Sequence, residues 1–271
     1  MGNQMFIYAC ARSLARHRNL SYCLSDLQAL QPWFELHPED HKNKLKYNIF
    51  RLQNTFPWSR YKFEHMQDNR IDYSAKMLRE KSPRIWYYGY FQGRKYLFEN
   101  ESDIKTAFRL KEKPRSDFEA ARKKLGLDHD FIAVHIRLRD YRTFGPDFLD
   151  GPDLTLPFGY YREALREQIS AHPGLKVIFL SDEMATVKKE FSDFPQALFS
   201  DQSPIIDFQI LNAASVSIIS HSSFAWWAAF LNENVKKKVI VPRYFLGFKV
   251  RKEFPVNMIL PEWEARDVTF A

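Results

Sequence analysis

The sequence predicts an α/β protein of two lobes, the C-terminal one built on a doubly wound parallel sheet. Three observations lead there. Between residues 131 and 242, short and wholly apolar runs alternate with helical stretches, the pattern of parallel strands covered by helices on both faces. The chain has 271 residues, close to the length at which one hydrophobic core divides into two. A composition of 45% apolar and 27% charged residues, with 9 Gly and 14 Pro, belongs to folded globular proteins and excludes fibrous and disordered classes.

The elements follow in order. Met5, Phe6, Ala9, Cys10 and Leu14 recur at steps of three and four, so a first helix is predicted from Met5 to Arg18. Residues 19–80 are aromatic-rich and punctuated by Pro32, Pro38 and Pro57, which reads as short helices and loops. Residues 84–98 hold seven aromatics and two glycines and read as a strand, a turn and the start of a helix, with most of the rings in the core. The second half is regular, with strands at 131–137, 175–181, 216–220 and 238–242 and helices at 158–170, 183–191, 205–213 and 223–231. The polar, lysine-rich stretch 111–129 carries Pro114 and includes a helix, so lobes of residues 1–125 and 126–271 are expected.

Forty Lys+Arg against thirty-three Asp+Glu give a net charge of +7, which favours a polyanion, an anionic membrane surface or a phosphorylated small molecule without choosing among them. Cys10 and Cys23 show neither a CxxC nor a Cys/His spacing, so a reducing compartment and no structural metal are expected. No apolar run approaches the roughly 20 residues of a membrane helix and no signal peptide is evident, which leaves peripheral association as the expected membrane contact.

In open parallel sheets, ligands bind beyond the carboxyl ends of the strands. The first strand ends in His135, Arg137 and Asp140, the second in Ser181 and Asp182, and the third runs through Ser220, His221, Ser222 and Ser223 into a helix. Strand alternation places His135 and Arg137 on one face. An arginine there suits two-pronged capture of a phosphate, while an Arg–Asp ion pair tying the loop down is the equal alternative. Ser222 and Ser223 would present free backbone N–H groups to an anion, or serve as an ordinary helix cap. Gly2, Asn3 and Gln4 offer similar donors ahead of the first helix. Together these segments imply a diphosphate-bearing ligand. GxGxxG, GxxxxGK[ST] and GxSxG are all absent from the sequence, which argues against the usual dinucleotide fingerprint, a P-loop and an α/β-hydrolase.

At these residues the chain resembles the α-1,2-fucosyltransferases of glycosyltransferase family 11, bacterial-type members in particular. Gly2-Asn3-Gln4-Met5-Phe6 stands where the family has G-N-Q-M-F, and Gly89-Tyr90-Phe91-Gln92 matches its G-Y-F-Q. His135-Ile136-Arg137-Leu138-Arg139-Asp140-Tyr141 aligns with H-x-R-x-G-D-Y, and Leu180-Ser181-Asp182-Glu183 is similar to F-S-D-D/E. His221-Ser222-Ser223-Phe224-Ala225-Trp226-Trp227 meets N-S-S-F-S-W-W. The resemblance implies a GT-B-like fold with two Rossmann-like lobes, the N-terminal one on the acceptor side and the C-terminal one holding GDP-β-L-fucose. It implies inverting transfer to the 2-hydroxyl of a terminal galactoside with no cofactor and no essential metal. Arg137 is then expected to neutralise the diphosphate, and Asn3 and His135 to border the sugar hydroxyls. Ser222, Ser223 and Phe224 would hold the diphosphate, with Asp182 near the guanosine and Asp140 or His135 as base.

Three departures accompany the resemblance. The strand of about ten residues that normally precedes the Gly-Asn-Gln turn is not seen. Arg139 and Leu138 replace a glycine and a common second arginine, and His221 replaces an asparagine. They motivate an alternative, an impaired member that binds GDP-sugar or glycan without turnover. A nucleic-acid-binding module is the more distant alternative, because no RNA- or DNA-binding signature accompanies the charge. The expected location is cytoplasmic, peripheral to the inner membrane on the bacterial reading.

Overall fold

The computed structural model describes residues 1–56, 61–194, 197–235 and 237–270. The chain divides into two compact units. The first holds Met1, Asn3–Lys111 and Pro255–Met258; the second holds Gly2, Glu112–Phe254 and Ile259–Ala271.

The first unit contains α1 (Gly2–Arg18), α2 (Asn43–Gln53), β1 (Lys62–His65), α3 (Ser74–Arg79), β2 (Ile85–Tyr88) and α4 (Glu101–Ala107). Helix α1 begins three residues before its apolar repeat and stops at Asn19, whose left-handed backbone (φ 51°) lets its N–H reach back to the carbonyls of Ala15 and Arg16. Its inward side chains Met5, Phe6, Ala9 and Cys10 are buried. Strands β1 and β2 pair in parallel. The first of them was not anticipated, because Lys62-Phe63-Glu64-His65 carries no apolar run and only Glu64 is shielded from solvent.

The second unit opens with α5 (Glu112–Leu125) and continues through β3 (Phe131–Ile136), α6 (Phe158–Ala171), β4 (Lys176–Ser181), α7 (Met184–Glu190) and β5 (Ala197–Phe199). It closes with α8 (Pro204–Ala213), β6 (Val216–Ile219), α9 (Ser223–Leu231), β7 (Lys238–Pro242) and β8 (Glu264–Arg266). The six strands form one parallel sheet in the order β5-β4-β3-β6-β7-β8. From β3 the chain first winds one way and then, at β6, returns to the other side of β3, so the order reverses between these two strands. Ile132, Val134 and Ile136 of β3 pack with Tyr160, Tyr161 and Ala164 of α6, and His135 of the opposite face stacks on Phe224 of α9. Both faces are therefore covered, which is why all six residues of β3 are buried.

The expected boundary at residue 125 moves to 111. Helix α5 packs against α8, where buried Gln209 donates from Nε2 to the carbonyl of Pro114 at 3.0 Å, so the helix belongs to the second unit. Strands β5 and β8, three residues each, were not anticipated, and β3 ends at Ile136, leaving Arg137 as the first residue beyond the strand.

Candidate functional site

The carboxyl ends of β3 and β6 flank the point where the strand order reverses, the place where open α/β sheets leave a crevice. His135, 6% exposed, sits at the end of β3, and its Nδ1 lies 2.9 Å from the Ser220 hydroxyl just past β6. Its ring stacks on Phe224 with centroids 5.5 Å apart. Burial, then the neighbouring Arg137 charge, push its pKa down to about 3, so the imidazole is neutral at ordinary pH.

Arg137 follows, half-buried, and is held by two carboxylates. Its Nε donates to Asp140 Oδ1 at 2.8 Å, and Nε lies 3.3 Å from Asp182 Oδ2. Asp182 does more than balance charge. Its Oδ1 accepts from the Leu138 N–H at 2.9 Å and its Oδ2 from the Arg139 N–H at 3.3 Å, so one carboxylate at the end of β4 clamps the loop that follows β3. Ser181 supports the turn through its hydroxyl, which accepts from the Glu183 N–H at 3.1 Å. The Arg–Asp ion pair expected as one of the two alternatives is present.

Two of the departures now have a physical setting. Leu138 is 3% exposed and packs into the core with Ile136 and Tyr161, a position where a second arginine would bury a charge. Arg139 is exposed with φ −39°, so the residue standing in place of glycine needs no left-handed backbone here. His221 is buried and stacked on Tyr141 (4.8 Å) and Phe248 (5.6 Å), and burial pushes its pKa down to about 4. The Tyr141 hydroxyl donates to the His221 carbonyl at 3.1 Å, which ties the loop after β3 to the β6–α9 turn.

Ser222 has the extended backbone of a helix cap (φ −97°, ψ 133°), yet its side chain makes no capping hydrogen bond. Helix α9 therefore begins with backbone donors that the Ser222 side chain does not satisfy, one residue ahead of Phe224, on which His135 stacks. Gly2 counts with this unit. A Cβ on it would come within 2.6 Å of the Phe224 nitrogen and the Ser223 carbonyl carbon, so only glycine fits against the start of α9.

In the first unit, Gln92 Nε2 donates to Asn3 Oδ1 at 3.0 Å, which joins the Gly-Asn-Gln and Gly-Tyr-Phe-Gln segments. Gln4 points elsewhere, donating to Asp26 at 3.1 Å. Phe91 is buried, whereas Tyr88 and Tyr90 are largely exposed at the lining of a cavity of about 470 Å³. Among the described residues, no group of three or more His, Cys, Asp or Glu is placed to hold a metal ion, and no helix is long and apolar enough to cross a membrane.

Ser220, at the third strand end, and Tyr141, in the loop after β3, take partners that strand order decides: His135 and the His221 carbonyl. The fold and this crevice define a GT-B-like α/β protein of Rossmann strand order. A profile of glycosyl transferase family 11 matches residues 1–264, and the chain belongs to that family.

Among its relatives is the O-antigen biosynthesis glycosyltransferase WbnK of Escherichia coli, 25% identical over 91% of this chain and 93% of the relative. The α-1,2-colitosyltransferase of Escherichia coli is 24% identical over 85% and 84%. A galactoside 2-α-L-fucosyltransferase of Bos taurus, SEC1, is 28% identical over 49% of this chain and 37% of its own length. Among solved structures, NodZ α-1,6-fucosyltransferase soaked with GDP-fucose superposes with a TM-score of 0.53 at 14% identity, covering 85% of this chain and 89% of that one.

Proposed function

We propose that this glycosyltransferase moves L-fucose from GDP-β-L-fucose to the 2-hydroxyl of a terminal galactoside, with inversion, forming an α-1,2 linkage. The observation that carries the reading is Arg137, fixed by Asp182 at the point where the strand order reverses, two residues after His135, whose ring stacks on Phe224 at the uncapped start of α9. A guanidinium and a helix N-terminus at the same end of the sheet suit a diphosphate leaving group, whose charge grows as the sugar bond breaks. Ser222, Ser223 and Phe224 supply the backbone donors, and Gly2 leaves them room. Asn3 and Gln4 serve the donor turn of the first lobe, and Ser181 supports Asp182. Fucose as the sugar draws support from the names of the bovine relative and of NodZ, and the α-1,2 linkage from those of the bovine and colitosyl relatives.

Asp182 is assigned here to loop positioning, because both of its oxygens are committed to the backbone after β3. Of the two candidate bases, Asp140 is preferred. A proton on His135 would create a buried cation beside Arg137, whereas a proton on the half-exposed Asp140 removes a charge. Diphosphate binding would draw the Arg137 fork away from Asp140 and free that carboxylate for the acceptor hydroxyl. His135 stays neutral, bonded to Ser220, and borders the sugar. No metal takes part in this reading.

The test is transfer from GDP-fucose to lactose, with GDP release measured and the linkage of the product determined by NMR, in the presence and absence of EDTA. A fucosyl-α-1,2-galactosyl product formed equally in both supports the reading. Binding of GDP-fucose without turnover would identify the impaired alternative, and use of GDP-colitose in its place would reassign the donor.

A further inference from the structure

We infer that the outward face of α2 docks this protein onto an anionic membrane surface. The inference does not depend on the transfer reaction. Helix α2 is anchored on one side. Phe50 stacks on Trp86 at 4.5 Å, and the Asn43 side chain both accepts from the Leu24 N–H at 2.7 Å and donates to its carbonyl at 2.9 Å. On the opposite side, Leu45, Ile49, Leu52 and Phe56 are 61%, 45%, 64% and 44% exposed. At about 100° per residue Leu45, Ile49 and Leu52 lie within roughly 60° of one another, an exposed apolar stripe whose Ile49 edge also borders the inner cavity, and Phe56 follows three residues past the helix end. The same geometry puts Lys42 and Lys46 on one flank of the stripe and Lys44 and Arg51 on the other.

The charge pattern selects the occupant. Residues 41–56 contain Lys42, Lys44, Lys46 and Arg51 and no Asp or Glu. An apolar stripe bordered on both sides by cations is built to sink into the interface of a bilayer while the ammonium and guanidinium groups meet lipid phosphates. A protein partner or a second copy with a mixed-charge surface would leave these cations without a systematic counterpart. The inner side of the helix repeats the preference. Lys46 and Phe50 help to line the 470 Å³ cavity, where Arg18 Nη1 and the Tyr87 hydroxyl are buried without a hydrogen-bond partner and no described lining residue is acidic.

Flotation of the full chain with lipid vesicles tests this. Vesicles of phosphatidylcholine containing one-third phosphatidylglycerol should carry at least tenfold more protein than vesicles of phosphatidylcholine alone, and added salt should reduce the difference. Leu45→Asp with Leu52→Asp should abolish flotation, and Lys42→Glu with Lys44→Glu and Arg51→Glu should remove the anionic preference. GDP affinity and melting temperature, which none of these exposed positions supports, should stay unchanged and report an intact fold. Absence of binding to anionic vesicles, equal binding to both vesicle types, or flotation that survives the aspartates would each overturn the inference. So would a dimer in solution, by light scattering, that the aspartates dissociate while vesicles capture nothing, since the stripe would then be a contact between copies.

Discussion

Replacing Asp182 with asparagine keeps its volume and removes one acceptor. The carboxylate takes the Leu138 N–H on one oxygen, and the Arg139 N–H and the Arg137 guanidinium on the other. An asparagine offers one oxygen and turns an NH2 group toward the remaining donors, so at least one charge-assisted bond is lost and a donor faces a donor. Hydrogen bonds to charged groups contribute about 1.5–3 kcal/mol each, and with a side chain only 14% exposed little is returned by water, so Asp182→Asn should cost about 3 kcal/mol. In a domain of this size that lowers the melting temperature by about 6–12 °C. Loosening the loop also misplaces Arg137, and a misplacement of the order of 1 Å at a reacting centre costs about 100-fold in rate. Thermal unfolding and lactose fucosylation measure the two effects. Asp140→Asn is the contrast, because its carboxylate is 54% exposed and among the described residues its ion pair is with Arg137 alone, so stability should change by less than about 1 kcal/mol. If Asp182→Asn melted within a degree of the parent and transferred at full rate, the clamp would be an incidental contact.

Three further outcomes follow from the same geometry. Arg137→Ala should lower kcat by about 100- to 1000-fold with the fold intact, and Arg137→Lys should recover little of it, since an ammonium lacks the planar fork; near-normal turnover in the Ala variant would remove its role. His135 and His221 are held neutral, with pKa values near 3 and 4 against an unfolded value of about 6.5, so in that interval the unfolded chain binds more protons and stability falls as pH falls. From pH 7 to pH 5 each histidine costs about 2 kcal/mol, while Asp207, which burial raises to about 6, returns about 1 kcal/mol, so urea unfolding should show a net loss near 3 kcal/mol and a flat profile would contradict the burial of both rings. Gly2→Ala should destabilise the chain by about 1–3 kcal/mol and weaken GDP binding, because its methyl group meets backbone at the start of α9; calorimetric titration with GDP checks this.

The C-terminal unit was legible in the sequence because its physics is local. A strand buried on both faces must be apolar throughout, and the runs ending at Ile136, Ser181 and Pro242 announce themselves by composition. Residues 19–80 resisted the same reasoning. Their side chains are buried by specific aromatic contacts such as Phe50 on Trp86, and neither period is imposed on the sequence when a short strand like β1 is shielded at one residue only. The unit boundary was misplaced for a related reason. A polar, lysine-rich helix looks like a linker until α8 is known to supply the partner for its buried face, which includes Pro114, Phe118 and Ala121.

At the site, residue types were legible and relations were not. Arg137 and Asp182 stand 45 positions apart in sequence, and nothing short of the β3–β4 register, which pairs Ile136 with Ser181, says that the aspartate reaches the backbone after the arginine. That register also explains why the clamp needs aspartate in particular. The two strands end level with each other, so a carboxylate one residue beyond β4 meets the N–H groups of the second and third residues beyond β3, which have left the ladder and need an acceptor. His135 and Ser220 are joined in the same way by the β3–β6 register, across the point where the strand order reverses. The crevice is thus fixed by two strand pairings on either side of β3. A substitution that shifts either register should disturb Arg137 and His135 together, even though no side chain of the site has been changed.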